Sequence, residues 1–367
     1  MKFSIQRDAL LKPLQFVIGV VERRQTLPIL GNVLLTISDN VLSLVGTDLE
    51  VELIARVVLE GKHDNADITV PARKLMDICR NLPDAAQLDL TVKDQKLTVK
   101  SGRSRFSLAT LDAGDFPLVN NNDFDVEISL SAKTLHNLFH QTHFAMAQQD
   151  VRYFLNGALL QVDGSNLTVV ATDGHRLALA TENLPELNAN TKIIVPRKGV
   201  LELMKLLGDV ENDVTLKISH NNIRVDAEDY TLTSKLVDGR YPDYQKVIPK
   251  GGDKELVINK DLLKQALTRV SVLSNEKYRG VRFELKEGLL RLAANNPERE
   301  EAEDEIEINY NDGDLAVGFN VNYVLDAINA LDNGDIKLTL ANANSSALIE
   351  HTEKNRESLY VVMPMRL

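Results

Sequence analysis

Apolar and polar residues alternate in short runs over much of the chain. VLSLVGT, LDLTVKD, KLTVKSG, VTLKISH and IKLTLAN each turn every second side chain to one face, as half-buried strands do. Six other stretches change to helical spacing. Three are amphipathic openings: DALLKPLQFVIGVV from Asp8, SAKTLHNLFHQTHFAMA from Ser131 and NKDLLKQALTRVSVL from Asn259. Three follow a short strand directly: ITVPARKLMDICRNL at 68–82, IIVPRKGVLELMKLL at 193–207 and VGFNVNYVLDAINAL at 317–331. In the first two a proline sits where the helix begins, a place that tolerates its missing N–H.

These elements form a repeat. Pro71 and Pro196, Thr47 and Thr172, and Pro117 and Pro242 share one offset of 125 residues. A more diverged third copy follows, with Asn320 in the proline slot at an offset of 124 and Pro364 answering Pro242. Each copy holds two helices and several strands in about 120 residues, near the usual domain size. The expected fold is α+β, three repeated domains of two helices on antiparallel sheets, at 1–125, 126–253 and 254–367. The polar stretches VNNNDFD and PKGGDK mark the boundaries.

The segment LTVVATDGHRLALATENLP, residues 167–185, concentrates Asp173, His175 and Arg176 around Gly174. Asp-Gly between alternating runs predicts a β-hairpin, glycine supplying the positive φ of a tight turn. A hydrolase using Asp173 and His175 is the alternative, but no nucleophile is evident nearby. The Thr-Asp step also recurs at Thr47-Asp48, which assigns it to the repeated fold.

Composition narrows the classes. With 367 residues, 44% hydrophobic, the chain can bury ample core, and no apolar run is long enough to span a bilayer. The amino terminus has no apolar signal region, so the expected location is the cytoplasm, with no membrane partner. The lone Cys79 falls with Leu75, Ile78 and Leu82 on an apolar helix face and is expected to be buried. A net charge of -11 argues against gripping nucleic acid over the whole surface. The predicted helices nevertheless carry an excess of about eight basic residues, among them Arg73, Lys74, Arg197 and Lys198. If they collect on one side, that side attracts phosphate.

No phosphate-cradling glycine loop, HExxH or G-x-S-x-G elbow occurs. His136, His140 and His143 are spaced to share a helix face beside an apolar stripe, without the carboxylate a metal site would add. No catalytic residue, metal or cofactor is expected. Two complementary segments stand out: basic GRSRFSL, with Arg103 and Arg105 opposite Phe106 and Leu108, and acidic EREEAEDE at 298–305. The acidic run reads either as a solvated segment or as an edge that pairs with a basic edge. The end of the chain, YVVMPMRL, is apolar and methionine-rich; Tyr360 to Val362 fits a final strand, and Met365-Arg366-Leu367 fits a cap on a surface groove.

With the repeat, TDGHRLA, VPRKGVLELM, SKLVDGRYPDY, SNEKYRG, NNPEREEAE, GFNVNYVLDA and YVVMPMRL in hand, the chain resembles, over its full length, the bacterial DNA polymerase III β-subunit family, the sliding clamps. The resemblance implies a non-catalytic, head-to-tail homodimeric ring with helices lining a central hole, which encircles duplex DNA without reading sequence. It implies DNA contacts from Arg24, Gln149 and Tyr153, with Phe154 where a tyrosine is common; Arg73, Arg197 and Lys198 add basic helix positions. It implies a dimer interface of Lys74, Arg103, Arg105, Phe106 and Leu108 against Val272, Leu273, Glu300, Glu301, Glu303 and Asp304, with Arg299 an odd positive charge in the acidic edge.

It also implies a peptide pocket between the second and third domains. Its positions are Leu155, Thr172, Gly174, His175, Arg176, Leu177, Pro242, Val247, Asn320, Tyr323, Ser346, Met363, Pro364, Met365 and Arg366, plus Lys246 where arginine is frequent and Tyr278 where phenylalanine is. The implied partners are the polymerase α subunit, the clamp loader, translesion polymerases, mismatch-repair proteins and ligase, on a nucleoid-associated clamp. A β-rich protein scaffold without DNA is the remaining alternative.

Overall fold

The computed structural model describes residues 1–21, 27–119, 123–185, 187–352 and 358–366. Its α-helices are α1 (Arg7–Val20), α2 (Ala72–Asn81), α3 (Ala132–His140), α4 (Arg197–Leu207), α5 (Lys260–Ser271) and α6 (Val321–Ala330). The helical spacing is explicit in α2, where Ala72, Leu75, Met76 and Cys79 are buried and Lys74, Asp77 and Arg80 lie on the wetter side. Burial pushes the Cys79 thiol up to about 11, so it packs as a small apolar side chain.

The slot that separates strand from helix is filled in two ways. Pro71 is the residue before α2 and Pro196 the residue before α4. In the third copy Asn320 caps α6 with its side chain, accepting from the Asn322 N–H at 2.9 Å. Asn259 does the same for α5, accepting from Asp261 and Leu262. Each such cap stabilises its helix by about 1 kcal/mol relative to alanine.

Two expectations about the helices are corrected. The element from Ser131 does not continue to Ala147: α3 stops at His140, where the Thr142 hydroxyl turns back to the Leu138 carbonyl at 2.8 Å, and a 3-10 turn follows at His143–Ala145. A side chain that bonds four residues back competes with continuation of the helix. His143 is therefore off the face that His136 and His140 share. The six helices hold 12 Lys and Arg against five Asp and Glu, but the excess belongs to five of them; α6 has Asp326 and no basic residue.

The chain packs as two compact units. Met1–His136 and Lys198–Leu236 form the first; Asn137–Arg197 and Val237–Leu367 form the second. The first holds an eight-stranded antiparallel sheet in the order 66–71, 32–38, 41–47, 51–58, 230–235, 222–227, 213–218, 126–131. It also holds a four-stranded sheet in the order 2–6, 87–93, 96–101, 104–109. The second unit repeats the plan. Its large sheet runs 189–196, 157–164, 166–172, 176–183, 358–362, 347–351, 335–340, 254–259, and its small sheet 301–307, 289–295, 280–286, 315–320.

Each large sheet is thus sewn from two neighbouring copies of the repeat. In the first unit the seam is 51–58 against 230–235, with Glu52 opposite Thr233; in the second it is 176–183 against 358–362, with Leu177 opposite Val361. Continuous backbone hydrogen bonding across these seams is why three sequence repeats pack as two units.

Candidate partner-binding groove

The Thr172–Arg176 turn is built from its own side chains. Thr172 Oγ1 donates to the Arg176 carbonyl at 2.6 Å and accepts from Gly174 N at 3.1 Å, while Asp173 Oδ1 accepts from His175 N and Arg176 N at 2.9 and 3.1 Å. The first copy has the same wiring: Thr47 Oγ1 bonds the Val51 carbonyl at 3.0 Å, and Asp48 Oδ1 accepts from Glu50 N and Val51 N. Asp and Thr recur because they supply the local hydrogen bonds of this turn. Asp173 has its other oxygen 3.1 Å from Arg176 Nε, and His175 is exposed. A hydrolytic role for the pair has no support in this geometry.

Arg176 is the structural centre of the region. It is 12% exposed and spends every part of its guanidinium: on Asp173, on Asp326 of α6 at 2.5 Å, and on the Phe144 carbonyl at 2.6 Å. Its Cζ lies 4.4 Å from the centre of the Tyr323 ring and 5.4 Å from that of Phe144. A flat, always-charged fork meets such a set of partners where lysine would not. The residue expected in a pocket wall is a tie between the hairpin of the second copy and α6 of the third.

Beside it lies an apolar floor. Leu159, Val170, Leu177 and Val361 are buried together, and Tyr241, Tyr244, Val247, Ile248 and Leu348 pack on them. Two cavities open over this region. One of about 430 Å³ is lined by Leu159, Ile194, Tyr241, Pro242 and Tyr244; the other, about 890 Å³, by Lys246, Val247, Ile248, Ser346 and Leu348. Both volumes suit small ligands or a few side chains of a peptide.

Residues 363–366 run past the end of the strand. Met363 N donates to the His175 carbonyl at 2.9 Å and Met365 N to the Gly318 carbonyl at 2.8 Å, so this segment is stitched to the hairpin and to the small sheet. Met363 keeps an exposed face. Leu367 lies outside the described residues.

Not every expected pocket residue lines one of these two cavities. Leu155 is buried in a 3-10 turn, with its carbonyl accepting from Ala147 N. Asn320 is committed to capping α6 and Tyr323 to the Arg176 stack. Tyr278 is exposed on a turn, 5.3 Å from Lys277 Nζ, whereas Lys246, which does line the larger cavity, is solvent-exposed 3.1 Å from Asp243. The floor residues Leu159, Val170, Tyr241, Tyr244 and Val361 were missed. Their signal was the apolar alternation of the flanking strands and the Tyr-Pro-Asp-Tyr step.

The expected DNA positions have varied surroundings. Arg24 lies outside the described residues. Tyr153 is exposed, in edge contact with Phe154, and Gln149 adopts a φ of 56°. Three cations are engaged locally: Arg73 with the Val21 carbonyl, Arg197 with that of Met146, and Lys198 with Asp48 at 2.5 Å and the Val20 carbonyl. Burial and the nearby positive Arg176 push the Arg197 guanidinium below its ordinary range.

The basic and acidic segments are both edge strands of small sheets, 104–109 and 301–307. Residues 301–305 of the acidic run therefore belong to an ordered strand, and 298–300 precede it. Arg103, Arg105 and Lys74 are exposed, Phe106 is half-buried and Leu108 buried. Val272 is exposed and Leu273 half-buried at the end of α5. Part of the acidic edge is already neutralised within the chain: Asp304 pairs with Arg269 at 2.6 Å and Glu303 with Arg291, while Glu300 accepts from Asn296. Arg299 occupies the turn before it, with φ 68°, and Glu301 is exposed.

Among the described residues no group of three or more His, Cys, Asp or Glu could hold a metal ion, and no helix is long and apolar enough to cross a membrane. The N-terminal, central and C-terminal domains of the DNA polymerase III beta subunit match residues 1–120, 129–243 and 245–366. The beta sliding clamp of Pseudomonas aeruginosa is 53% identical over 369 residues and that of Escherichia coli 49% over 367, each alignment covering all of both chains. A crystal structure of the DnaN sliding clamp of P. aeruginosa bound to griselimycin superimposes with a TM-score of 0.97 at 52% identity, over all of both chains. The chain belongs to the bacterial DNA polymerase III β-subunit family, the β sliding clamps, which are non-catalytic processivity factors.

Proposed function

We propose that two copies of this chain close head to tail into a ring around duplex DNA, and that the groove over Leu177 and Val361 tethers partner proteins by short linear motifs. The groove carries this reading: an apolar floor shared by Leu159, Leu177 and Val361, open volume beside Leu159, Tyr241 and Tyr244, and residue 363 bonded to the 172–176 turn, in a chain of the sliding clamp family. Its partners are the polymerase α subunit, the clamp loader, translesion polymerases, mismatch-repair proteins and ligase. Leu177, Pro242, Val247, Ser346 and Met363 meet the motif, and Arg176 holds the walls in place. Each copy of the repeat is one clamp domain, at 1–125, 126–253 and 254–367.

The ring closes through the edges 104–109 and 301–307. Arg103, Arg105 and Lys74 approach Glu300, Glu301, Glu303 and Asp304, and Phe106 and Leu108 approach Val272 and Leu273. Opposite charges at two sheet edges favour pairing with each other over aggregation. Helix cations, with Arg24, Gln149 and Tyr153, face the duplex as a weak, sequence-blind field that permits sliding while topology prevents escape. The clamp acts in the cytoplasm on nucleoid DNA. The test is retention: a dimer by sedimentation, loaded on nicked circular DNA, is expected to remain after a salt wash and to leave once the circle is linearised. Equal retention on both forms refutes the topological link.

A further inference from the structure

The 125-residue offset maps the groove floor of the second unit onto the first. Leu159, Val170, Leu179 and Tyr241 correspond to Leu34, Val45, Ile54 and Phe116, which cluster in the same way. The strand register extends the match to the seam. Where Leu177 faces Val361 in the second unit, Glu52 faces Thr233 in the first. The backbone frame is the same too: Met363 N donates to the His175 carbonyl at 2.9 Å, and Lys235 N to that of Glu50 at 2.8 Å. A cavity of about 510 Å³ lies here, lined among others by Leu49, Pro117, Leu118 and Val119. Leu49 and Leu118 are 39% and 57% exposed.

The first unit therefore keeps the frame and has open volume with an apolar rim at 117–119, the counterpart of 242–244 in the cavity of about 430 Å³, and changes the seam pair beneath it. Glu52 is only 4% exposed, and its Oε2 accepts from Val119 N at 2.9 Å. That bond ties residues 117–119, the counterpart of 242–244, down to the seam. An apolar side chain entering here would displace Val119 and leave a buried carboxylate without its donor. In the second unit the residue at the place of Glu52 is the apolar Leu177, which accepts no such latching bond, and Tyr244, the counterpart of Val119, bonds sideways through its hydroxyl to Gln161 Oε1 at 3.2 Å.

We propose that the Glu52–Thr233 pair is the specificity determinant that closes the first-unit groove to apolar peptide motifs, so that each chain offers one motif site where its fold provides frames for two. The inference rests on the second-unit groove being the motif site. It is tested in the full chain with a synthetic hexapeptide of leucine and phenylalanine, carrying a benzophenone for photo-crosslinking and a fluorophore for titration.

Wild type is expected to bind one peptide per chain and to crosslink within 241–247. The transplant E52L/T233V is expected to bind two, with new crosslinks within 47–49 and 117–119. The reverse swap, L177E/V361T, is expected to lose the site it has. A folded E52L/T233V protein that still binds one peptide overturns the proposal while leaving the motif site intact. Wild type that crosslinks nowhere in 241–247 overturns the motif site and the proposal together. Should E52L/T233V fail to melt cooperatively by circular dichroism, E52M alone removes the latch. Crosslinks within 117–119 then support the proposal, and their absence overturns it.

Discussion

The two large sheets share strand order, turn wiring and half of their floor residues, yet one seam carries Leu177 and Val361 and the other Glu52 and Thr233. The difference separates what the repeat needs from what each copy does with it. The Thr-Asp turn recurs because its hydrogen bonds make the hairpin. The seam pair is free to diverge because β pairing is made by backbone, and either kind of side chain can be accommodated if its polar atoms are satisfied.

The comparison breaks most visibly by exchanging the seam residues. Glutamate at 177 would place a carboxylate in the apolar cluster of Leu159, Val170 and Val361. L177E is expected to destabilise the protein by about 4 kcal/mol in urea unfolding, a large effect typical of a carboxylate forced into an apolar core. E52L is expected to stay within about 1 kcal/mol of wild type, because a buried carboxylate and its bond are removed together with their desolvation penalty.

Next in size is the tie that only the second unit has. Position 51, the counterpart of Arg176, is a buried valine. R176A is expected to cost about 2–3 kcal/mol, since it strips charged partners from Asp173, Asp326 and the Phe144 carbonyl. Hydrogen exchange should report the loss first in α6 and residues 363–366.

A smaller effect tests the first unit through pH. Glu202 of α4 has an oxygen buried without a hydrogen-bond partner, facing Gly19. Burial raises its pKa, against the lowering pull of Lys205 and Lys198 and with a raising one from Asp48. A carboxyl whose folded pKa lies above its unfolded value loses stability as pH rises from the ordinary carboxyl range through the folded value. E202Q is therefore expected to stabilise by about 1 kcal/mol at pH 7 and to bring no gain at pH 4, as read from paired thermal melts.

The smallest effect is at the turn. Gly174 has φ 88° and its counterpart Leu49 has φ 77°, a region that penalises a Cβ. L49G is expected to stabilise by about 0.5 kcal/mol, and G174A to destabilise by about 1 kcal/mol, because its Cβ would also meet Arg152 Nη2 at 3.0 Å.

Much of this was legible in the residues. Alternation and helical spacing located the strands and helices, since each period reports one buried face. The Asp-Gly turn marked a hairpin, the Thr-Asp step and the prolines at one fixed offset identified the repeat, and the buried Cys79 followed from its apolar face. The floor of the groove was less legible. Leu159 and Val170 look like any other core residue in a strand, and nothing local says that a cavity opens above them. The engagement of Lys198 by Asp48, of Arg73 by Val21 and of Asp304 by Arg269 was also invisible, because these pairs join distant segments.

The sequence by itself determined the local elements, the turns and the threefold repeat, because these depend on neighbours a few residues away. Only the tertiary structure decided that strands 51–58 and 230–235, and 176–183 and 358–362, would fuse copies into two units. It alone set Glu52 opposite Thr233 and Leu177 opposite Val361. A pairing between residues nearly 200 positions apart is fixed by backbone register across a sheet, which no periodicity within either strand encodes.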